Sequence, residues 1–216
     1  MRAIADYAHS KGCEVILDSA HSFAHTVWKI EDTGADYMAT SLHKWLTAPF
    51  GSGMLYIKKD KISKIWPALS SAEPQSGDIR KFESLGTRSM ASEMSIGAAI
   101  DFHHTIGSER KEARLRYLKD YWLNTMKKNP KLKPYTKHTA ENSCAIATIG
   151  LEGWKAADIE TTLLDKYKIH VVPIAYEGIN GIRITPNVYT NTRDLDHLVN
   201  SLNLIASQNP PSNEKK

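Results

Sequence analysis

Four residues near the ends of two short apolar runs carry groups that could act together on one ligand. The first run ends at Asp18, and the second ends at Ser41 and continues into His43 and Lys44. Open α/β sheets bind their ligands at the carboxyl ends of neighbouring strands. A carboxylate, a hydroxyl, an imidazole and an amine would therefore surround one crevice. Taken alone, Asp18 could instead be a helix cap.

Two further positions carry groups suited to anions. Thr87 lies in a Gly-Thr-Arg turn ahead of a long helical stretch, and Arg183 lies in a short apolar stretch, 181–185, near the C-terminus. A guanidinium group holds a carboxylate through two parallel hydrogen bonds. From the residues alone, a surface position is the favoured interpretation of Arg183, because most arginines are exposed.

The first half of the chain alternates helix and strand patterns, which is typical of an α/β fold. A helical pattern over 2–11 stops at Gly12. The apolar runs that follow are too short for helices and predict buried parallel strands. These predicted strands cover 14–17, 34–41 and 53–57.

The second half of the chain predicts a long helical stretch and then a smaller α+β unit. The helical pattern over 92–129 is broken at Gly107 and closed by Asn129-Pro130. The last helix is capped by Asn191 or Thr192. The elements predicted after 130 are strands over 143–149, 170–173 and 181–185, and helices over 155–167 and 193–206. The expected domains are 1–105 and 106–207, the latter with the linking long helix, followed by a disordered tail over 208–216.

Composition excludes several classes of function. The chain has 216 residues, of which 41% are hydrophobic, so an ordered core is expected. The net charge of +4 comes from interleaved charges, which predicts no nucleic-acid surface, and no apolar run is long enough to cross a membrane. The lysine-rich run 58–61 predicts a solvated turn. Cys13 and Cys144 form no CxxC motif and fit a reducing cytoplasm.

The histidines and tryptophans outside the strand ends carry little functional signal. His103 and His104 have no second ligand pair at metal spacing, so no metal site is expected. Five other histidines are interpreted as packing or surface residues: His9, His25, His138, His170 and His197. The tryptophans are interpreted as core or interface anchors: Trp28, Trp45, Trp66, Trp122 and Trp154.

Five motifs in this order and spacing resemble aminotransferase class V, a family of fold-type-I enzymes that use pyridoxal 5′-phosphate (PLP). Within that family the chain is most similar to the isopenicillin N epimerase-like proteins. The resemblance implies a PLP-dependent transferase-like α/β fold, with part of a mostly parallel large-domain sheet and a C-terminal α+β small domain. It extends from the first residues to about Ala206. The motifs lie at 18–21, 34–36, 41–45, 49–56 and 86–88.

The resemblance assigns cofactor-binding roles to five residues at the strand ends. Asp18 matches the carboxylate beside the pyridine nitrogen, which a buried negative charge keeps protonated. His21 matches the position that contacts the ring oxygen of the cofactor. Ser41 and His43 match phosphate ligands. Lys44 matches the lysine that forms the Schiff base.

The resemblance also implies a substrate and a partner. Arg183 matches the residue that binds the carboxylate of an amino-acid substrate. Thr87 matches a residue that reaches the phosphate of the neighbouring subunit's cofactor. We therefore expect a homodimer with shared active sites.

The chain departs from the family pattern in length and in one nucleophile. We expect it to be N-terminally truncated, since the phosphate-binding turn and the ring that stacks on PLP are not found, and to bind PLP weakly or not at all by itself. Cysteine desulfurases of this family carry a catalytic cysteine upstream of the substrate arginine, and the stretch 170–181 has none. Cys144 falls in a predicted strand and is expected to be a buried, inert thiol. The sequence therefore disfavours a desulfurase.

The expected function is that of a PLP-dependent enzyme acting on an amino acid by epimerisation, transamination or a lyase reaction, through a Schiff base on Lys44. The alternative is a catalytically silent truncated homologue that acts as a dimerisation partner or is a gene fragment. A hydrolase built on Ser41 and His43 is disfavoured because the Gly-x-Ser-x-Gly motif is missing.

Overall fold

The fold begins with a three-stranded sheet in a unit that spans Met1–Ser108. The computed structural model describes residues 1–137 and 139–211. β1 (Ile16–Asp18) pairs in parallel with β2 (Tyr37–Ser41), and β2 pairs antiparallel with β3 (Gly53–Ile57). The turn between β2 and β3 contains no crossover helix, so β3 returns alongside β2 in the opposite direction. One of the two strand pairings is therefore parallel and the other antiparallel.

The sheet of this first unit leaves apolar residues open to solvent. Ile16 of β1 is 73% exposed and Leu55 of β3 is 48% exposed. β1 and β3 were expected to be buried strands, and that expectation is wrong for both because they lie at the two edges of the sheet. Two small cores support the unit. One contains Leu42, Leu46, Ala48 and Ala99, and the other contains Tyr37, Ile57 and Ile62.

Three helices of the first unit end at or close to a glycine. Helix α1 (Arg2–Ser10) stops before Gly12, which has φ +73°. The predicted break at Gly107 is confirmed, since this residue has φ +87°. The other helices of this unit are α2 (Ile30–Thr33), α3 (Ala91–Met94) and α4 (Ile96–Ile106), with 3-10 turns at Lys59–Lys64 and Ile79–Glu83.

A buried carboxylate connects α1 to the sheet. Asp36 is 3% exposed and accepts hydrogen bonds from the Val15 amide (2.9 Å), from Lys58 Nζ (3.2 Å) and, at 2.8 Å, from His9 Nε2. Burial alone would raise the pKa of Asp36, but these donors outweigh it and hold that pKa well below its usual range. Lys58 and Lys61 are half-buried in ion pairs with Asp36 and Glu14, so the expected solvated turn is wrong for these two side chains.

The second unit, which begins at Glu109, is an antiparallel sheet packed with helices. Its strands lie side by side in the order Leu132–Pro134, Ala147–Leu151, Ile179–Ile184 and Val172–Tyr176, and its core joins the long helix to this sheet. The predicted cap of the last helix is confirmed: Asn191 and Asp194 form a capping box. The elements are α5 (Ser108–Met126, whose first residue precedes the unit), β4 (Leu132–Pro134), β5 (Ala147–Leu151), α6 (Ala156–Tyr167), β6 (Val172–Tyr176), β7 (Ile179–Ile184) and α7 (Thr192–Ala206).

Some parts of the sequence predictions fall outside the described residues. They are the interpretation of His138 and the residues of the predicted tail after Pro211. Within the described ranges, no helix is both long and apolar enough to cross a membrane.

Candidate functional site

The ends of β1 and β2 bring the two main polar clusters together. Because these strands are parallel and Asp18 is in register with Ala39, Asp18 and Ser41 end at the same edge of the sheet. The backbone continues this pairing beyond β1, where Ser19 donates its amide to Ala39 at 2.9 Å. Thr40 Oγ1 donates to the Ser19 carbonyl at 3.2 Å, which fixes the start of the turn that carries His21.

His21 and Lys44 meet across these two strand ends. Lys44 Nζ lies 3.5 Å from His21 Nε2, although the residues are 23 positions apart in the sequence. Lys44 is half-buried and His21 is exposed. An amine and an imidazole that both face an accessible edge are suited to bond a carbonyl compound and to orient it.

The stacked rings of Trp45 and His25 contact His21, the imidazole of this pair. Trp45 Nε1 donates to His21 Nδ1 at 3.3 Å. The His25 ring lies parallel to the Trp45 ring, with ring centroids 3.7 Å apart and an interplanar angle of 3°. His25 Nδ1 bonds the His21 carbonyl oxygen at 2.7 Å. Both His25 and Trp45 are 5% exposed, so the stack is part of the folded interior.

Sequence reasoning placed His25 among the packing or surface residues and gave it no connection to the site. Its spacing of four residues from His21 is the signal that could have linked them, because residues four apart face the same side of a helical turn.

The tryptophans differ from one another: Trp45, Trp122 and Trp154 are buried, whereas Trp66 is 64% exposed and is no core residue.

Asp18 occupies the expected strand end but in a different environment. Its side chain is exposed, and Oδ1 accepts a hydrogen bond from the Ala20 amide at 2.9 Å. The expected burial of this carboxylate is therefore wrong in this structure, because β1 is an edge strand. The bond to Ala20 turns the chain towards His21.

The two predicted phosphate ligands lie directly before Lys44. Ser41 is the last residue of β2, where it is paired with Gly53 of β3. His43 is half-buried, and its Nδ1 atom is buried without a hydrogen-bond partner among the described residues. A buried polar atom of this kind costs about 1–3 kcal/mol unless a ligand or water satisfies it. His43 Nδ1 is thus available to form a hydrogen bond with a ligand.

The two remaining predicted residues are separate from this cluster in the chain. Thr87 is exposed in the turn after Gly86, which has φ +71°. Arg183 belongs to the second unit, in β7, where it is in register with Thr148 and Val172. Arg183 Nε is buried without a partner among the described residues, which leaves a guanidinium edge unsatisfied.

The first unit also contains an apolar cavity of about 580 Å³, and it is not the predicted site. Its walls come from the turn 23–30, from β2 and β3, and from α4. Asp18, His21 and Lys44 are not among its lining residues, which include His25, Met38, Leu42, Leu46, Met54 and Ile100. Because its lining is mostly apolar, the cavity offers few groups for chemistry.

Cys144 is buried and has a weakened tendency to ionise. It lies three residues before β5, rather than inside a strand as the sequence predicted. Burial raises the pKa of its thiol to about 11, so the unreactive protonated form dominates near neutral pH.

Over residues 1–137 and 139–211, no group of three or more His, Cys, Asp or Glu side chains is arranged to hold a metal ion.

Comparison with known proteins places the chain in a family. The model of the family described as "Aminotransferase class-V" matches residues 1–173. The chain belongs to aminotransferase class V. The cofactor of this class is PLP, and the predicted fold type I is confirmed by the structural neighbours. The unsatisfied His43 Nδ1 atom and the paired His21 and Lys44 fit such a group.

Sequence relatives include epimerases and desulfurases. The chain is 24% identical over 222 residues to the isopenicillin N epimerase of Streptomyces clavuligerus, which covers 95% of this chain and 56% of that protein. It is 29% identical over 173 residues to a probable cysteine desulfurase of Halalkalibacterium halodurans, covering 76% of this chain and 41% of that protein. The chain therefore spans about half the length of these relatives.

Solved structures show the same fold. The apo cysteine desulfurase of Thermococcus onnurineus NA1 superposes with a TM-score of 0.84 at 20% identity, covering 95% of this chain and 55% of that one. A mutant of C-DES with glycine covalently linked to its PLP cofactor superposes with a TM-score of 0.75 at 19% identity, covering 88% and 51% of the two chains. At these identities the likeness establishes the fold and leaves the reaction open.

Proposed function

We propose that this chain provides the cofactor-bonding part of a PLP-dependent enzyme that acts on an amino acid, with Lys44 as the residue that bonds the cofactor. The contact of 3.5 Å between Lys44 Nζ and His21 Nε2 at the ends of two parallel strands carries this proposal. Family membership supplies the cofactor. When bound, PLP acts as an electron sink for the charge that develops on the substrate.

The remaining strand-end residues would hold the cofactor in place. His43 Nδ1 would donate to the phosphate, since it is buried and has no other partner among the described residues. Ser41 would add a hydroxyl donor beside it. Asp18 would lie at the ring nitrogen and keep the proton on that atom. His21, beside Lys44, would contact the ring oxygen.

Arg183 would bind the α-carboxylate of the substrate. Its buried and unsatisfied Nε atom supports this role, because a carboxylate can accept from Nε and a terminal nitrogen together.

Thr87 is exposed and could reach a second subunit, so the proposal includes a homodimer with shared sites. Cys13 and Cys144, the two cysteines of the sequence, form no disulfide with each other, which supports a cytoplasmic location.

The proposed reaction is an epimerisation, a transamination or a lyase reaction, rather than sulfur transfer through a cysteine of this chain. Cys144 is a poor nucleophile because burial raises the pKa of its thiol to about 11. An isopenicillin N epimerase and a probable cysteine desulfurase both match the chain, so the names of the relatives do not select one reaction.

Absorbance tests the proposal. Because the chain by itself is expected to bind PLP weakly, PLP in large excess should produce the visible absorbance of a lysine-bound cofactor, and Lys44→Ala should abolish the saturable part of this signal. Lys58→Ala is the matched control, since Lys58 is also half-buried but pairs with Asp36. A saturable signal that survives in Lys44→Ala would refute the role of Lys44. No saturable signal at any PLP concentration would favour a catalytically silent homologue.

A further inference from the structure

The hydrogen bond from Trp45 to His21 determines where the proton of His21 lies. An indole nitrogen is a donor and never an acceptor. Since Trp45 Nε1 lies 3.3 Å from His21 Nδ1, that ring nitrogen must be the acceptor. A neutral imidazole then carries its proton on the other nitrogen, Nε2. This is the nitrogen that faces Lys44 Nζ at 3.5 Å.

We propose that Trp45 is a positioning residue that fixes His21 as the Nε2-protonated tautomer and directs this N–H group at Lys44. The tautomer of His21 is inferred from contacts within the chain. Only the importance of this tautomer for cofactor chemistry rests on the proposed function. The Nε2–H group can donate to Nζ only when the amine is unprotonated. An unprotonated amine is also the form of lysine that reacts with a carbonyl group.

His25 holds the indole in the orientation that this role requires. The two rings are 3.7 Å apart and nearly parallel, so the Trp45 ring cannot rotate without losing the stack. His25 is itself fixed, because its Nδ1 atom donates to the His21 carbonyl at 2.7 Å and a carbonyl oxygen can only accept. The backbone of His21 thus orients His25, His25 orients Trp45, and Trp45 orients the ring of His21.

Nitrogen NMR on the ¹⁵N-labelled chain tests this inference without cofactor or activity. His21→Gln removes the His21 signals and so identifies them among the nine histidines. In the unmodified chain, Nδ1 of His21 should have the chemical shift of an unprotonated ring nitrogen and Nε2 that of a protonated one. Trp45→Phe keeps a ring on His25 but removes the donor, so the ratio of the two tautomers should fall about fivefold, as expected for loss of one neutral hydrogen bond.

Trp28→Phe is the matched control. It also removes an indole N–H group from this turn, but Trp28 Nε1 donates to the Ser22 carbonyl at 3.1 Å rather than to His21. Its tautomer ratio should equal that of the unmodified chain. An unchanged ratio in folded Trp45→Phe would overturn the inference, and so would a protonated Nδ1 in the unmodified chain, which needs no variant. The failure of Lys44 to bond PLP would refute the proposed function and leave the tautomer result standing.

Discussion

At the scale of single residues, the candidate site contains buried polar atoms without hydrogen-bond partners and one imidazole that is contacted on both ring nitrogens. His43 Nδ1 and Arg183 Nε are buried without partners among the described residues, while His21 is held between Trp45 and Lys44. Residue type and spacing predicted the positions of Lys44 and His43. They could not predict the exposure of Asp18, because that depends on which strand lies at the edge of the sheet.

Arg183→Lys tests the substrate site. Lysine keeps the charge but loses the two parallel hydrogen bonds, at a cost of about 1.5–3 kcal/mol in substrate binding. We expect KM for the amino-acid substrate to rise by about tenfold or more, as measured by steady-state kinetics. Arg193→Lys, on the exposed start of α7, should leave KM unchanged. Equal kinetics in both variants across a panel of amino acids would contradict the assignment.

Cys144→Ala tests whether this thiol takes part in chemistry. Since burial raises its pKa to about 11, Cys144 should not act as a nucleophile. Incubation with cysteine and PLP, followed by sulfide detection, should give the same result for the unmodified protein, Cys144→Ala and Cys13→Ala. Sulfide release that disappears only in Cys144→Ala would show that the desulfurase reaction was wrongly disfavoured.

At the scale of elements, the carboxylate of Asp36 links helix α1, the start of β1 and the turn after β3. His9, the Val15 amide and Lys58 all bond this one side chain. The motif that contains Asp36 was noticed in the sequence as part of the family resemblance. Its physical role depends on His9 and Lys58, which are distant from it in sequence. His9 was interpreted as a packing or surface residue, and Lys58 as part of a solvated turn.

Asp36→Asn should destabilise the first unit by about 2–3 kcal/mol at pH 7, because charge-assisted hydrogen bonds are lost inside the fold. The folded-state pKa of Asp36 is lowered from the usual 3.8. Its stabilisation is therefore complete above about pH 4 and decreases as the pH falls towards the folded-state pKa. Urea unfolding at several pH values should show the difference between the two proteins shrinking below pH 4. Asp60→Asn, at an exposed position, should cause little change at any pH.

The element boundaries show which parts of the fold the sequence could predict. The long helices and β3 agree with their patterns, and residues such as Gly107 and Asn191 mark helix ends, whereas the four-residue helix α2 was not predicted. β4 was missed because it has three residues, one of them Pro134, and forms only by pairing with β5. The antiparallel direction of β3 follows from the short connection after β2, which apolar patterning alone does not reveal.

At the scale of the whole molecule, the chain matches about half the length of its relatives and exposes apolar strand residues such as Ile16 and Leu55. We predict that these 216 residues alone bind PLP weakly. Titration with PLP, following absorbance and the unfolding midpoint together, measures this. A saturable, stoichiometric signal with a clear rise in the midpoint would show that the chain by itself provides a complete cofactor site.

The most direct test of the central claim is to find the lysine to which PLP becomes attached. The protein is incubated with PLP, reduced with borohydride, digested and mapped by mass spectrometry. Weak binding lowers the amount of label but does not change its position. We predict that the label concentrates on Lys44 and that Lys44→Arg removes it without increasing the label elsewhere. A label concentrated on another lysine, such as Lys58 or Lys155, or spread evenly over the surface lysines, would contradict the assignment of Lys44.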